Sequence, residues 1–190
     1  GGAPKIGKSW LMLDLCVKVA KGEPLWEMET KRGTTLYLCL EDTLRRLQNR
    51  LDCITDTVPP NAFFATVSGT LADDLEAQIL QFIRERPDTV LIAIDTFQMI
   101  RSNAGEPTYG GDYEEIQKLK RIADSQRVAI LLVHHLRKQR DRDPINKLSG
   151  TTGITGAVDT VFVLDKSRRR EDSATLVCTG RDIEHRELEL

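Results

Sequence analysis

Near its start the chain reads Gly2-Ala3-Pro4-Lys5-Ile6-Gly7-Lys8-Ser9. Glycines at this spacing let successive backbone N–H groups curl around a phosphate, and the N-terminus of a following helix adds its positive end. The stretch therefore predicts a phosphate-binding loop, called the P-loop below. We expect a helix from Lys8 to about Lys21 that closes at Gly22. The alternative, a chance glycine-rich turn before a helix, is disfavoured by polar partners further along the chain.

The last two residues of the P-loop have distinct chemistry. An amine at the position of Lys8 reaches the β- and γ-phosphates of a nucleotide, and a hydroxyl at the position of Ser9 ligates Mg²⁺. The sequence therefore predicts ATP and Mg²⁺ as cofactors.

Length and composition narrow the class of protein. The chain has 190 residues, enough for one well-buried domain, and a net charge of -2 that gives no support to nucleic-acid binding but is compatible with a local basic face. Its four cysteines form no close metal-ligand pair, which favours reduced, buried thiols. No stretch approaches the ~18 apolar residues of a membrane span. We expect a cytoplasmic protein with no membrane partner.

Apolar runs alternate with helical patterns over most of the chain. This alternation predicts an α/β fold with a mainly parallel sheet, and two late runs around a charged stretch predict an antiparallel hairpin. The predicted strands are 34–40, 90–94 and 128–133, and the hairpin strands are 160–164 and 174–178. Since a strand should enter the P-loop, we expect residues 1–190 to be a fragment forming one domain whose first strand lies upstream.

Polar residues follow the predicted strands at their C-terminal ends, where ligands bind in parallel sheets. Asp95 ends one strand and is expected to hold Mg²⁺, directly or through water. Glu41 ends another and is placed to polarise an attacking water, while Asp42 is the expected N-cap of the next helix. His134 and His135 follow a third strand, where one of them is suited to sense a phosphate. A metal site at the histidine pair lacks further ligands at a supporting spacing.

These motifs and their order resemble a RecA-fold ATPase, and most closely the RepA-type branch. That branch comprises hexameric replicative helicases of plasmids and mobile elements, with related ATPases called the AAA_25 group. The matching stretches are GAPKIGKSW at 2–10, LEDTLRRL at 40–47, IDT at 94–96, VHHLRK at 133–138 and SGTTGITGAVD at 149–159. The resemblance implies a RecA-like three-layer αβα domain. It also implies nucleotide contacts from Gly2, Ala3, Pro4, Lys5, Ile6, Gly7, Lys8, Ser9 and Trp10.

The resemblance implies roles for the residues at the strand ends. Glu41 is the expected catalytic base, Asp95 the acid that organises Mg²⁺, and His135 the sensor of the γ-phosphate. Lys8 completes the expected catalytic set from the P-loop.

Arg181 resembles the arginine finger that ring-forming relatives insert into a neighbour's site, where it is worth ~10³ or more in rate. Thr179 stands where these relatives often have a lysine, so their usual pair is not intact. The alternative for Arg181 is a surface salt bridge with Asp182 or Glu184.

One stretch is rich in basic residues that would track a phosphate backbone, with binding weakened by salt. It contains no aromatic residue from 137 to 152 to stack a base, so a solvated loop is an equal alternative. The basic residues are Arg137, Lys138, Arg140, Arg142 and Lys147.

Two functions follow from the resemblance. The first is a DNA-dependent ATPase motor that acts on single-stranded DNA as a homo-oligomeric ring, expected to be a hexamer, in the manner of a replicative helicase, a loader or a DNA repair ATPase. The second is a nucleotide-dependent regulatory switch without helicase action, since one fold serves many functions. A small-molecule kinase fits less well, because no lid with clustered arginines is evident.

Overall fold

The chain is described from a computed structural model, which defines residues 1–102, 109–135, 152–166 and 173–190. These residues form two compact units. The first unit comprises the described residues of 1–8, 109–117 and 134–190, and the second comprises those of 9–102 and 118–133.

The second unit contains a four-stranded parallel sheet with the order β2-β1-β3-β4. Its strands are β1 (Thr34–Cys39), β2 (Ala62–Ala65), β3 (Thr89–Asp95) and β4 (Ala129–Val133). The predicted strands 34–40, 90–94 and 128–133 are thus confirmed to within one residue at each end. All six residues of β1 are buried, which explains its nearly continuous apolar sequence.

Helices connect these strands. They are α1 (Lys8–Lys21), α2 (Leu44–Ile54), α3 (Leu75–Glu85), the short α4 (Phe97–Ile100) and α5 (Tyr109–Gln126). The bounds predicted for α1 are confirmed, and Gly22 ends the helix with a φ of +76° while its N–H donates to Lys18 O over 2.8 Å.

The core of the second unit forms where α1 packs on the sheet. Leu13, Cys16 and Val17 repeat at helical spacing on one face of α1 and are at most 2% exposed. They belong to one apolar cluster with Tyr37 of β1 and Leu91 of β3. This packing fixes the helix that follows the P-loop against β3, which ends at Asp95, and against β1, which Glu41 follows.

The first unit contains an antiparallel sheet with the order β5-β6-β7. It is preceded by α6 (Thr152–Ala157), and its strands are β5 (Thr160–Asp165), β6 (Thr175–Gly180) and β7 (Arg186–Glu189). The predicted C-terminal hairpin is confirmed as β5 and β6. The third strand, β7, was not expected because its residues are charged and mostly exposed.

The composition of residues 101–112, with three glycines and a proline, predicts an exposed loop, followed by a helix from about Tyr113. The observed start of α5 differs. Residues 109–112 are helical, and Asp112 is only 1% exposed. Two glycines there, Gly110 and Gly111, suggested a loop because glycine weakens helices, but tertiary packing outweighs that preference. None of the helices in the described ranges has the length and apolar character needed to cross a membrane.

Candidate nucleotide site

The P-loop backbone curls at two residues with positive φ. Lys5 has a φ of +65° and Gly7 a φ of +104°, and the second value lies beyond the narrow left-handed region that ordinary residues can reach. A Cβ built on Gly7 would meet no atom within 4 Å, so the space above the loop is open at this residue. The loop then passes directly into α1 at Lys8. This is the shape of a cradle for a phosphate at a helix N-terminus.

Lys8 is turned toward its own loop. Its Nζ donates to the carbonyl oxygen of Gly2 over 2.8 Å and to that of Ala3 over 2.7 Å. The residue is only 9% exposed, so little of its side chain is in contact with solvent. Ser9 and Trp10 follow as the next two residues of α1, and Trp10 is 43% exposed.

His135 lies beside the start of the P-loop. Gly2 forms parallel bridges with His135 and with Leu164 of β5. A Cβ on Gly2 would come within 2.7 Å of Leu164 O, so glycine is required there by crowding. The structure thus brings together two predicted site residues that are far apart in sequence, His135 and Gly2.

In the second unit, Asp95 is the last residue of β3 and is 4% exposed. Tyr37 of β1 donates its hydroxyl to Asp95 Oδ2 over 2.8 Å. Burial raises the pKa of Tyr37 well above its usual value, and the charge of Asp95 and this hydrogen bond raise it further. Tyr37 is therefore a protonated donor, and Asp95 has a fixed partner for one of its two oxygens.

Glu41 follows β1 at the same edge of the sheet, because Cys39 at the end of β1 pairs with Asp95 at the end of β3. The buried Thr96 hydroxyl donates to Glu41 Oε1 over 2.9 Å. The two hydrogen bonds are reciprocal. Tyr37 of β1 binds Asp95 at the end of β3, and Thr96, which follows β3, binds Glu41, which follows β1.

The expectation that Asp42 caps α2 is wrong. Thr43 is the N-cap, and its Oγ1 accepts from the backbone N–H of Arg46. Asp42 instead accepts from Arg46 Nη1 over 3.0 Å and from Arg50 Nη1. The Arg50 guanidinium also lies 5.5 Å from the centre of the Trp10 ring. The Asp42 carboxylate therefore binds two arginine side chains of α2 and not the backbone N–H groups at the start of that helix.

Each unit carries residue types that fit part of Mg-ATP. In the first unit, the open, curled loop and the Lys8 ammonium fit a polyphosphate. In the second unit, the Ser9 hydroxyl and the Asp95 carboxylate are the kind of oxygen donors that Mg²⁺ prefers. In phosphate-transfer sites Mg²⁺ needs only one or two carboxylates, because substrate phosphates and water supply the other ligands. Among the described ranges, no cluster of three or more His, Cys, Asp or Glu is placed to hold a metal.

Arg181 directly follows β6 in the first unit. Its Nη2 donates to Gly156 O over 3.1 Å, and its Nη1 lies 3.7 Å from Asp159 Oδ1. Within the described part of the chain, its ion pair is with Asp159, not with Asp182 or Glu184. The Arg181 side chain is 60% exposed, so this pair leaves most of it in contact with solvent.

The basic stretch falls outside the described residues. It comprises Arg137, Lys138, Arg140, Arg142 and Lys147, and it stays a prediction from the sequence.

Sequence reasoning missed Tyr37 and Thr96. The signal for Tyr37 was a side chain with a hydroxyl in the middle of a buried apolar strand, since such a group must find a partner. The signal for Thr96 was its position next to Asp95. Neither signal identifies which carboxylate is the partner, because that depends on the register between β1 and β3.

Comparisons with known proteins identify the family and the fold. The family model AAA_25, described as an AAA domain, matches residues 1–141. A search of the curated proteins found no match. Among solved structures, a chain described as an ATPase domain superposes with a TM-score of 0.77 at 13% sequence identity. The superposition covers 99% of this chain and 78% of that one, and it shows the RecA-like fold.

Proposed function

The chain belongs to the AAA_25 family of P-loop ATPase domains, and we propose that it is the DNA-dependent motor of a RepA-type ring. The ATPase activity in this proposal is supported by one main observation. The carboxylates of Asp95 and Glu41 each accept a hydrogen bond from a buried hydroxyl, and the P-loop holds the ammonium group of Lys8. The DNA part is supported by the resemblance of the motifs and their order to the RepA-type branch.

In this proposal the P-loop holds the phosphates of ATP. Its N–H groups and the start of α1 bind phosphate oxygens, and Lys8 donates to the β- and γ-phosphates. The curl at Gly7 supports this role, because it lets backbone N–H groups of neighbouring residues point the same way.

Ser9 and Asp95 hold Mg²⁺ in the same proposal, Ser9 through its hydroxyl and Asp95 directly or through water. The ion, when bound, neutralises charge on the β- and γ-phosphates. Asp95 is suited to this role because it is buried, ionisable and fixed by a hydrogen bond.

Glu41 acts as the base. Its carboxylate takes a proton from a water molecule, the water oxygen bonds to the γ-phosphorus, and the bond to the ADP oxygen breaks, giving ADP and phosphate. Glu41 is exposed, so a water molecule can reach its carboxylate, while Thr96 fixes one of its oxygens. His135 is the proposed sensor of the γ-phosphate, supported by its bridge to Gly2.

Ring assembly enters through Arg181. We assign it to the neighbouring subunit's site as an arginine finger, which is supported by its mostly exposed side chain at the end of β6. An isolated subunit should then hydrolyse ATP more slowly, by a factor of ~10³ or more. The proposed setting is a cytoplasmic hexamer on single-stranded DNA in replication.

The ATPase part is tested by Lys8→Ala, with Lys18→Ala as the matched control. Lys18 is on the same helix, but it forms only a partly exposed ion pair with Asp14 at 3.5 Å. We expect Lys8→Ala to abolish Mg²⁺-dependent turnover and Lys18→Ala to retain it. Equal turnover in both variants would refute the assignment of the P-loop.

The DNA part is tested by measuring ATP turnover against single-stranded DNA concentration at low salt. A rise with DNA that weakens at higher salt supports a motor. Turnover that stays flat while ATP changes the oligomer size on a sizing column would instead support the regulatory switch.

A further inference from the structure

We propose that Tyr37 is a positioning residue for the metal: its hydroxyl fixes the Asp95 carboxylate in one orientation and so leaves a single defined oxygen for Mg²⁺. The proposal rests on the metal role of Asp95 given above. The observation behind it is the 2.8 Å hydrogen bond from Tyr37 Oη to Asp95 Oδ2.

The bond is buried at both ends. Tyr37 is 1% exposed and Asp95 is 4% exposed, so water does not compete with the phenol for the carboxylate. A buried carboxylate is costly unless it is hydrogen-bonded. An ionised carboxylate can only accept hydrogen bonds. A neutral hydroxyl can therefore bind it without neutralising the negative charge of the carboxylate.

The sheet register explains why a tyrosine is needed. Tyr37 pairs with Ala93, and Asp95 lies two residues further along β3, opposite Cys39. Side chains two residues apart point to the same face of a strand. A long side chain that ends in a donor spans this diagonal, whereas phenylalanine would fill the same space without reaching the carboxylate.

A simpler reading is that Tyr37 is a core residue that uses Asp95 only to satisfy its own hydroxyl. The two readings differ in what loss of the hydroxyl does to the metal. Removing a group that orients a metal ligand typically lowers metal affinity or activity about 10–100-fold. If Tyr37 is only a core residue, removing its hydroxyl lowers the stability of the protein and leaves its metal affinity unchanged.

The test compares Tyr37→Phe with Thr35→Val. Thr35 is the matched control, because it lies on the same face of β1, is 1% exposed and donates its hydroxyl over 3.2 Å to Cys16 O. Both substitutions remove one buried hydroxyl, but only Tyr37→Phe removes it from a carboxylate. Mn²⁺ affinity in the presence of a non-hydrolysable ATP analogue is measured by the loss of the free Mn²⁺ signal in electron paramagnetic resonance, beyond the loss that the analogue causes without protein.

We expect Tyr37→Phe to raise the Kd for Mn²⁺ about 10-fold and Thr35→Val to leave it at the wild-type value. Thermal melting should show both variants folded, with similar losses of stability. Equal Mn²⁺ affinities in the two variants would overturn the inference and leave the proposed function standing. A wild-type protein that binds no Mn²⁺ with the nucleotide would overturn both.

If Tyr37→Phe does not fold, the wild-type protein provides the second measurement. The Tyr37 hydroxyl proton is buried and hydrogen-bonded, which favours its detection by proton magnetic resonance. We expect its resonance to shift when Mg²⁺ is added to the ADP-bound protein. A resonance that Mg²⁺ leaves unchanged, in a protein that binds Mn²⁺ with the nucleotide, would refute the positioning role and leave the proposed function standing.

Discussion

Gly7 offers the sharpest test of the P-loop conformation, through Gly7→Ala. A Cβ at Gly7 would touch nothing within 4 Å, so its entire cost is conformational and comes from the φ of +104°. Holding an ordinary residue in such a region costs ~1–3 kcal/mol, offset by the ~0.4–1 kcal/mol that alanine gains by restricting the unfolded chain. The expected net loss is about 1–2 kcal/mol. For a chain of this size that lowers the melting temperature by roughly 2–8 °C.

Gly110→Ala is the matched control for this measurement. Gly110 belongs to the same unit, and a Cβ there would also meet no atom within 4 Å, but the residue is helical and carries no positive φ. Alanine should stabilise the helix there by up to ~1 kcal/mol. Melting followed by circular dichroism should therefore separate the two variants by several degrees. Equal melting temperatures would refute the claim that the loop requires glycine for its φ.

Two further outcomes follow from hydroxyls and thiols of the second unit. Thr96→Val should lower kcat about 5–10-fold and leave the nucleotide Kd unchanged, because it removes the hydroxyl that fixes one oxygen of the proposed base. Thr96→Ser keeps a hydroxyl and should retain the rate. A nucleotide Kd that changes together with kcat would contradict this prediction. Among the four cysteines Cys53 alone is exposed, and burial raises the pKa of Cys39 to about 11. A thiol reagent at pH 8 should therefore modify one thiol per native chain quickly, and Cys53→Ser should remove that phase; a second fast thiol would contradict the burial.

Much of the fold followed from local patterns. Buried strands such as β1 and β3 read as continuous apolar runs, and α1 is bounded by the P-loop and Gly22, so these elements were predicted closely. The strand β7 was not predictable, because its charged residues have no apolar pattern and it exists through pairing with β6.

The candidate site was predictable only in part. Strand-end positions marked Glu41 and Asp95, but their hydroxyl partners depend on a register between strands about 50 residues apart in sequence, which no local pattern encodes. The error at Asp42 has the same origin. Asp42 and Thr43 are both good caps, and only the placement of two arginines on α2 decides between them. The exposure of Cys53 was likewise missed, since the thiols were expected to be buried.

The two bonds that Lys8 donates within the P-loop have a consequence for anion selectivity. Hydrogen bonds from a charged donor contribute about 1.5–3 kcal/mol each, so an anion that draws Lys8 away must compensate for about 3 kcal/mol or more. That threshold corresponds to a penalty on the order of 100-fold in affinity. A lone sulfate or phosphate can form few contacts to compensate for this cost. A triphosphate could form contacts along the whole loop. Under the proposed function, this cost would therefore favour ligands with several phosphates over single phosphate ions, before any contact with the base or the sugar.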